Sequence, residues 1–371
     1  MRPEVIRAER GELGNAKVEN FYFKHLDGIR TIAVLMVIVH HWYKGSTFGY
    51  LHLGGAMGVG LFFVLSGFLI TNILLKQQAD FQSGNGLRRF TILKTFYIRR
   101  TLRIFPIYYI YVFALVVFGI GEARDIWPWL FGYAYNILLF LTNNWHSGYV
   151  EHLWSLAIEE QYYLVWPALL LFCPRRWNFT LVIGFIGLGV ATKSFLYLQA
   201  PASQFSKFPL CQFDAFGFGS ALALLRLKNV KIQFPIIWFL ALWALAFFFK
   251  FNVFHFYGKS FIGQVVPFYY AGCAVLIYMA VRGIKGPMAW FFNLRIVNFL
   301  GKISYGLYLY HLFIPDLTIH IFYHLGLPRF HIWWMYLIYS ALTLIVCLLS
   351  WYGIEQPINR LKDRFVYVRR E

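Results

Sequence analysis

A chain of 371 residues that is 59% hydrophobic, 13% charged and of mean hydropathy +0.56 carries too much apolar surface for a soluble globule and suits lipid as its solvent. The formal charge of +18 does not indicate nucleic acid, because the basic residues sit in short clusters between apolar runs, the pattern of the positive-inside rule. Cys173, Cys211, Cys273 and Cys347 lie in or beside those runs without CxxC spacing, so buried thiols are expected and neither disulfides nor a metal site is.

The polar N-terminus (Arg2, Glu4, Arg7, Glu9, Arg10) has no apolar core of a leader, so no cleaved signal peptide is expected. Apolar runs of helical length follow at 29–44, 54–75, 104–121, 127–142, 152–173, 179–199, 208–225, 234–250, 261–281, 298–319 and 332–353. The 127–142 run is short and holds Pro128, Gly132 and Asn136. If it does not cross, all but seven of the 34 Lys and Arg residues fall on one side, the exceptions being Lys44, Arg124, Lys193, Lys207, Lys250, Lys259 and Arg329. Crossing would send Arg175-Arg176 and its successors outward and reverse the bias. The expectation is an all-α polytopic membrane protein of about ten transmembrane helices with both termini cytoplasmic, and with 127–142 re-entrant or at the outer interface. Residues 1–25 form a cytoplasmic arm, 26–359 the membrane domain with an inner loop at 76–103, and 360–371 a short basic tail.

Ionisable groups inside spans are costly and mark candidate sites. In the first span Arg30 and His41 are eleven residues apart, about 20° from whole turns and ~16 Å along the axis, so they share a face and are expected on one cavity; His40 lies off that line. A histidine has the basicity to take a proton from a sugar hydroxyl. A snorkelling arginine and a histidine bonded to a carbonyl give the same pattern. Small residues at four-residue spacing in 54–67 read as close helix packing, Ser66 among them. Arg100 and Arg103 converge one helical turn apart, suited to phosphates of a nucleotide donor and equally to topology or anionic lipid. Glu159 and Glu160 enter a membrane helix from the outer side in EHLWSLAIEEQYY and are hard to explain as packing; one of them is expected to orient His41 or the acceptor. Asp214, then Ser304, Tyr305 and His311, and then Glu355 are isolated polar groups at span positions, each singly compatible with a structural role.

Taken in order, LDGIRTIAVLMVIVHH, FYIRRTLRIFPIYY, HLWSLAIEEQYYLVWP, GKISYGLYLYH and IEQPINR resemble the acyltransferase-3 family of membrane acyltransferases, from about Leu26 to Arg360. The resemblance selects His41 over His40 as the residue required for transfer. It implies a cytoplasmic acyl-CoA donor, acetyl-CoA foremost, and a carbohydrate acceptor: a cell-surface polysaccharide, oligosaccharide or glycolipid at the cell membrane. Arg30, Glu159 and Glu160 are the expected companions of His41 in catalysis, and Arg99, Arg100 and Arg103 the donor-binding set. His152, Trp154, Ser155, Asp214, Ser304, Tyr305 and His311 are the expected substrate contacts. Where the family carries arginine two places before Asp214 this chain has Gln212, so no role is assigned there. Some relatives carry a fused extracytoplasmic esterase-like domain; the expectation here is action without one, alone, with a separate partner, or directly on a lipid-linked or soluble glycan. The rival reading is a glycan or solute transporter using the same charged spans, which would call for repeat symmetry that the sequence does not display.

Overall fold

The computed structural model describes residues 23–43, 54–82, 87–146, 148–199, 206–228, 241–242, 244–245, 262–327 and 332–367. Most of the N-terminal arm, most of the 234–250 run and the last four residues of the tail lie outside the described residues. Everything regular among those described is helical: α1 (Lys24–Trp42), α2 (Gly54–Gln82), α3 (Arg89–Phe118), α4 (Trp127–Phe131), α5 (Tyr135–Thr142), α6 (Gly148–Glu151), α7 (Leu153–Phe172), α8 (Asn178–Gln199), α9 (Phe213–Leu227), α10 (Ile262–Arg282), α11 (Pro287–Asn293), α12 (Arg295–Lys302), α13 (Ser304–Tyr310), α14 (Phe313–His324), α15 (Ile332–Ser350) and α16 (Gln356–Leu361). Five helices among the described residues are long and apolar enough to cross a membrane.

The helix α2 is the centre of the bundle. Its apolar window is 78% buried inside the protein, against 22% for the Arg175–Leu196 and Trp333–Arg364 stretches, whose remaining apolar surface is left to lipid. It packs on α1 and α9. The glycines explain how closely: a Cβ on Gly67 would overlap the Phe216 carbonyl, and one on Gly219 the Val64 carbonyl. The small-residue spacing of the second run is thus a packing surface, as its sequence suggests.

Three segments depart from the sequence-based boundaries. The expected loop at 76–103 is mostly helix, with α2 running on to Gln82 and α3 starting at Arg89. The 127–142 run is two short helices, α4 and α5, parted by Gly132 and by Tyr133 in left-handed conformation (φ 48°), and neither is long enough to span. A paired amide joins it to α7: Asn136 Nδ2 donates to Gln161 Oε1 (3.2 Å) and Gln161 Nε2 to Asn136 Oδ1 (2.8 Å). The 298–319 run is not one helix but the ends of α12 and α14 with α13 between them, broken at Ile303 and at His311-Leu312. Pro315 explains the second break, since it has no N–H to give the His311 carbonyl. The Trp42 indole N–H donates to that carbonyl instead, at 2.7 Å. A similar cause acts after α15, where a π-turn (Trp351–Glu355) precedes Pro357.

Candidate active site

One cavity of about 90 Å³ collects candidates from four helices: Arg30 from α1, Arg100 and Arg103 from α3, Ser155, Glu159 and Glu160 from α7, and Ser304 and Tyr305 from α13. Ser66, Tyr163 and Tyr308 complete its polar lining. Their arrangement follows from helical spacing. Glu159 and Tyr163 are one turn apart on α7, as are Ser304 and Tyr308 on α13 and its partners, so each pair presents one face.

The charges in this cavity are held separately. Asp27 Oδ1 takes the Arg30 guanidinium at 2.5 Å, one turn below it. Arg100 lies over the rings of Tyr163 (5.1 Å) and Phe96 (5.7 Å). Glu159 Oε1 accepts from Ser66 Oγ (3.1 Å), which is also 3.0 Å from the Tyr163 hydroxyl. Neither Arg100 nor Arg103 forms an ion pair with Glu159 or Glu160, although all four line the same space. The sequence-based expectation of carboxylates near the far end of the site is therefore corrected: Glu159 and Glu160 sit about 9–10 Å inside the start of α7 and face the arginines.

His41 and Arg30 do share α1, but not one cavity. His41 lines a second cavity of about 620 Å³ with Trp42, Asp316, Tyr336 and Tyr339, and this corrects the single cavity expected. Of the two roles expected for a carboxylate, holding His41 or holding the acceptor, Glu159 does not take the first here. Glu159 bonds to Ser66, while the ring beside His41 is His311, with His311 Nε2 3.2 Å from His41 Nδ1.

The hydrogen bonds fix the tautomers. His41 Nδ1 is 2.9 Å from the Val37 carbonyl, and His311 Nδ1 is 2.7 Å from the Tyr308 carbonyl. A carbonyl only accepts, so each Nδ1 carries its proton. In the neutral rings His311 Nε2 then has a lone pair to receive His41 Nδ1–H, and the lone pair of His41 is on Nε2. The same layer touches the first cavity: Ser155 Oγ lies 2.6 Å from the Tyr308 hydroxyl, and both groups donate to or lie against the His152 carbonyl. The His152 ring is buried 5.1 Å from that of His311. His152, Ser155, Tyr308 and His311 thus pack in one buried layer, with Ser155 and Tyr308 on the first cavity and His311 against His41.

Three expected contacts lie elsewhere. Asp214 is closed off by Lys193, whose Nζ donates to both carboxylate oxygens at 2.7 and 2.8 Å between α8 and α9. Trp154 turns its ring to Lys207, whose Nζ is 3.5 Å from the ring centroid. Arg99 points out of the cavity and donates to the Lys362 (2.8 Å) and Phe365 (2.6 Å) carbonyls. Residues that sequence reasoning left without a role are Asp27, Tyr163 and Tyr308, while Ser66, read first as packing and second as a lining residue, does line the cavity. Tyr163 and Tyr308 were reachable from the one-turn spacing to Glu159 and Ser304.

The family model described as an acyltransferase domain matches residues 23–352. The chain is 31% identical to the peptidoglycan O-acetyltransferase OatA of Listeria monocytogenes over 91% of its own length and 56% of that protein. It is 30% identical to YrhL of Bacillus subtilis, whose name gives peptidoglycan O-acetylation provisionally, over 94% of this chain and 57% of YrhL. It therefore spans somewhat more than half the length of these relatives. No solved structure gives a significant match. With the matched region running from just before α1 to the end of the apolar stretch after α15, four of the five motifs in order within it and IEQPINR directly after it, the chain belongs to the acyltransferase-3 family of membrane acyltransferases.

Proposed function

We propose that the protein moves an acyl group, acetyl in the first instance, from cytoplasmic acyl-CoA to a hydroxyl of a cell-surface glycan or glycolipid. On this reading it crosses the cell membrane about ten times with both termini cytoplasmic, which puts the Arg100/Arg103 end of α3 inside and the His41 end of α1 outside. The glycan acceptor is suggested by the printed names of the relatives. Arg100 and Arg103 attract the donor's anionic end, and the narrow first cavity suits the neutral acyl-pantetheine end better than the nucleotide. The acceptor hydroxyl enters through the second cavity. His41 Nε2 takes its proton as the oxygen attacks the thioester carbonyl; the C–S bond breaks, and the proton returns to the departing CoA thiolate. His311 holds the imidazole and supports the charge that develops on it.

The observation that carries this reading is the His41–His311 pair, which puts His41 on the roomy cavity with an imidazole 3.2 Å from its Nδ1, while Arg100 and Arg103 line the other cavity. Transport, the rival drawn from the charged spans, has no observation in its favour. The test is His41→Ala in membranes supplied with radiolabelled acetyl-CoA, with surface glycans analysed by mass spectrometry. Acetylation falls to background while membrane levels of the protein are unchanged. Normal acetylation in that variant overturns the mechanism.

A further inference from the structure

The first cavity is small beside the roughly 300–1,000 Å³ of pockets that enclose whole ligands. A donor of nucleotide size must therefore leave its phosphates at the cavity's rim. The cavity arginines also have acidic neighbours: Asp27 pairs with Arg30, and Glu159 and Glu160 line the same space as Arg100 and Arg103. Surplus positive charge lies just outside.

There, Arg99 does something a topological arginine need not do. Its guanidinium is spent on the Lys362 and Phe365 carbonyls and lies 5.7 Å from the Tyr367 ring, strapping the segment after α16 across the start of α3. The strap packs the 362–364 turn against α3, with Lys362 partly exposed beside Arg99, close enough to Arg103 and Arg100 to feel their charge, and Asp363 as its acidic neighbour. Setting the Lys362 ammonium beside Arg99 and behind the two cavity arginines costs repulsion that a bound polyanion would offset.

We propose that Lys362 is a phosphate-binding residue of the donor site, held at the rim by Arg99, and that it recognises the nucleotide phosphates of the acyl carrier. This rests on the donor reading above and extends it from the α3 arginines to the segment that follows the last helix. Arg99 is then a positioning residue, and its turn away from the cavity has a purpose.

The test is equilibrium binding of radiolabelled CoA and of pantetheine to the full chain in phosphatidylcholine nanodiscs, for wild type, Lys362→Gln and Lys362→Arg. Wild type binds CoA more tightly than pantetheine. Lys362→Gln weakens CoA binding about tenfold, the scale of one charge-assisted contact, and leaves pantetheine unchanged, while Lys362→Arg restores CoA. If Lys362→Gln binds CoA as wild type does, the Lys362 assignment is overturned and the donor reading stands. If wild type itself does not prefer CoA to pantetheine, both fall. A second arm titrates phosphatidylglycerol into the nanodiscs. A Lys362→Gln variant that changes only lipid retention assigns the lysine to headgroups and overturns the proposal.

Discussion

Replacing His311 with alanine removes the ring that receives His41 Nδ1–H while leaving the Val37 carbonyl 2.9 Å from the same nitrogen. The tautomer therefore survives and Nε2 stays basic. What is lost is one of two acceptors, at the moment when His41 becomes an imidazolium and the contact turns charge-assisted. Such bonds contribute about 1.5–3 kcal/mol, so kcat should fall roughly 10- to 150-fold, with the KM for acetyl-CoA little changed on the proposed reading, because His311 does not line the cavity of Arg100 and Arg103. The Trp42 bond is to the His311 backbone and persists in the variant, which keeps the break between α13 and α14 intact. His311→Gln presents an amide oxygen to the same N–H and should recover part of the rate. The assay is initial-rate transfer from radiolabelled acetyl-CoA in isolated membranes, normalised to folded protein. A wild-type rate in His311→Ala refutes the orienting role. A rate as low as that of His41→Ala refutes it from the other side, since His311 would then be doing the chemistry itself.

The buried Lys193–Asp214 pair, 4% and 0% exposed, should be structural: Asp214→Ala leaves an unpaired ammonium and should cost about 3–5 kcal/mol, read as a lowered Tm in detergent, whereas Lys193→Met with Asp214→Leu recovers most of it. Activity per folded molecule should be unchanged in the double variant. Burial pushes the Lys207 ammonium, in the turn before α9, down to about 7. The unfolded chain, with an ordinary lysine, binds more protons between about pH 7 and 10, so stability should rise with pH across that window. Lys207→Met should remove that slope, and an unchanged Tm-against-pH curve in the variant would show that another group sets it.

Helical arithmetic on α1 placed Arg30 and His41 on one face, and the uninterrupted helix Lys24–Trp42 keeps them there. It could not foresee that their cavities differ, because Tyr308 and His311 come from a segment 270 residues away from His41. Charge counting set the 127–142 run apart, and Gly132 and the left-handed Tyr133 are the reason that run does not form one helix. Hydropathy, in contrast, read 298–319 as continuous, since a window average does not register that Pro315 orphans one carbonyl. The spacing of Arg99, Arg100 and Arg103 did not tell them apart, since Arg99 is also one turn from Arg103; what turns Arg99 away is the pair of carbonyls at Lys362 and Phe365, which lie far off in sequence. Asp214 misled because its partner, Lys193, counted in the sequence as an outer charge and is in fact buried.

The protein thus buries charge in two different ways, and the contrast bears on function. Lys193 and Asp214 have collapsed to 2.7 Å, as opposite charges in a poor solvent do when nothing holds them apart. Around the first cavity the same force acts on Arg100, Arg103, Glu159 and Glu160, yet no ion pair forms among them. Arg100 is held against Phe96 and Tyr163, and Glu159 is engaged by Ser66. Holding desolvated charges short of contact costs stability that closure into salt bridges would recover. Aromatic and hydroxyl side chains that pay this cost make sense where a substrate is to enter between the charges and find them already oriented. Replacing the closed pair with apolar residues should therefore leave transfer intact, whereas the same exchange at Arg103 and Glu159 should abolish it even in a protein that folds.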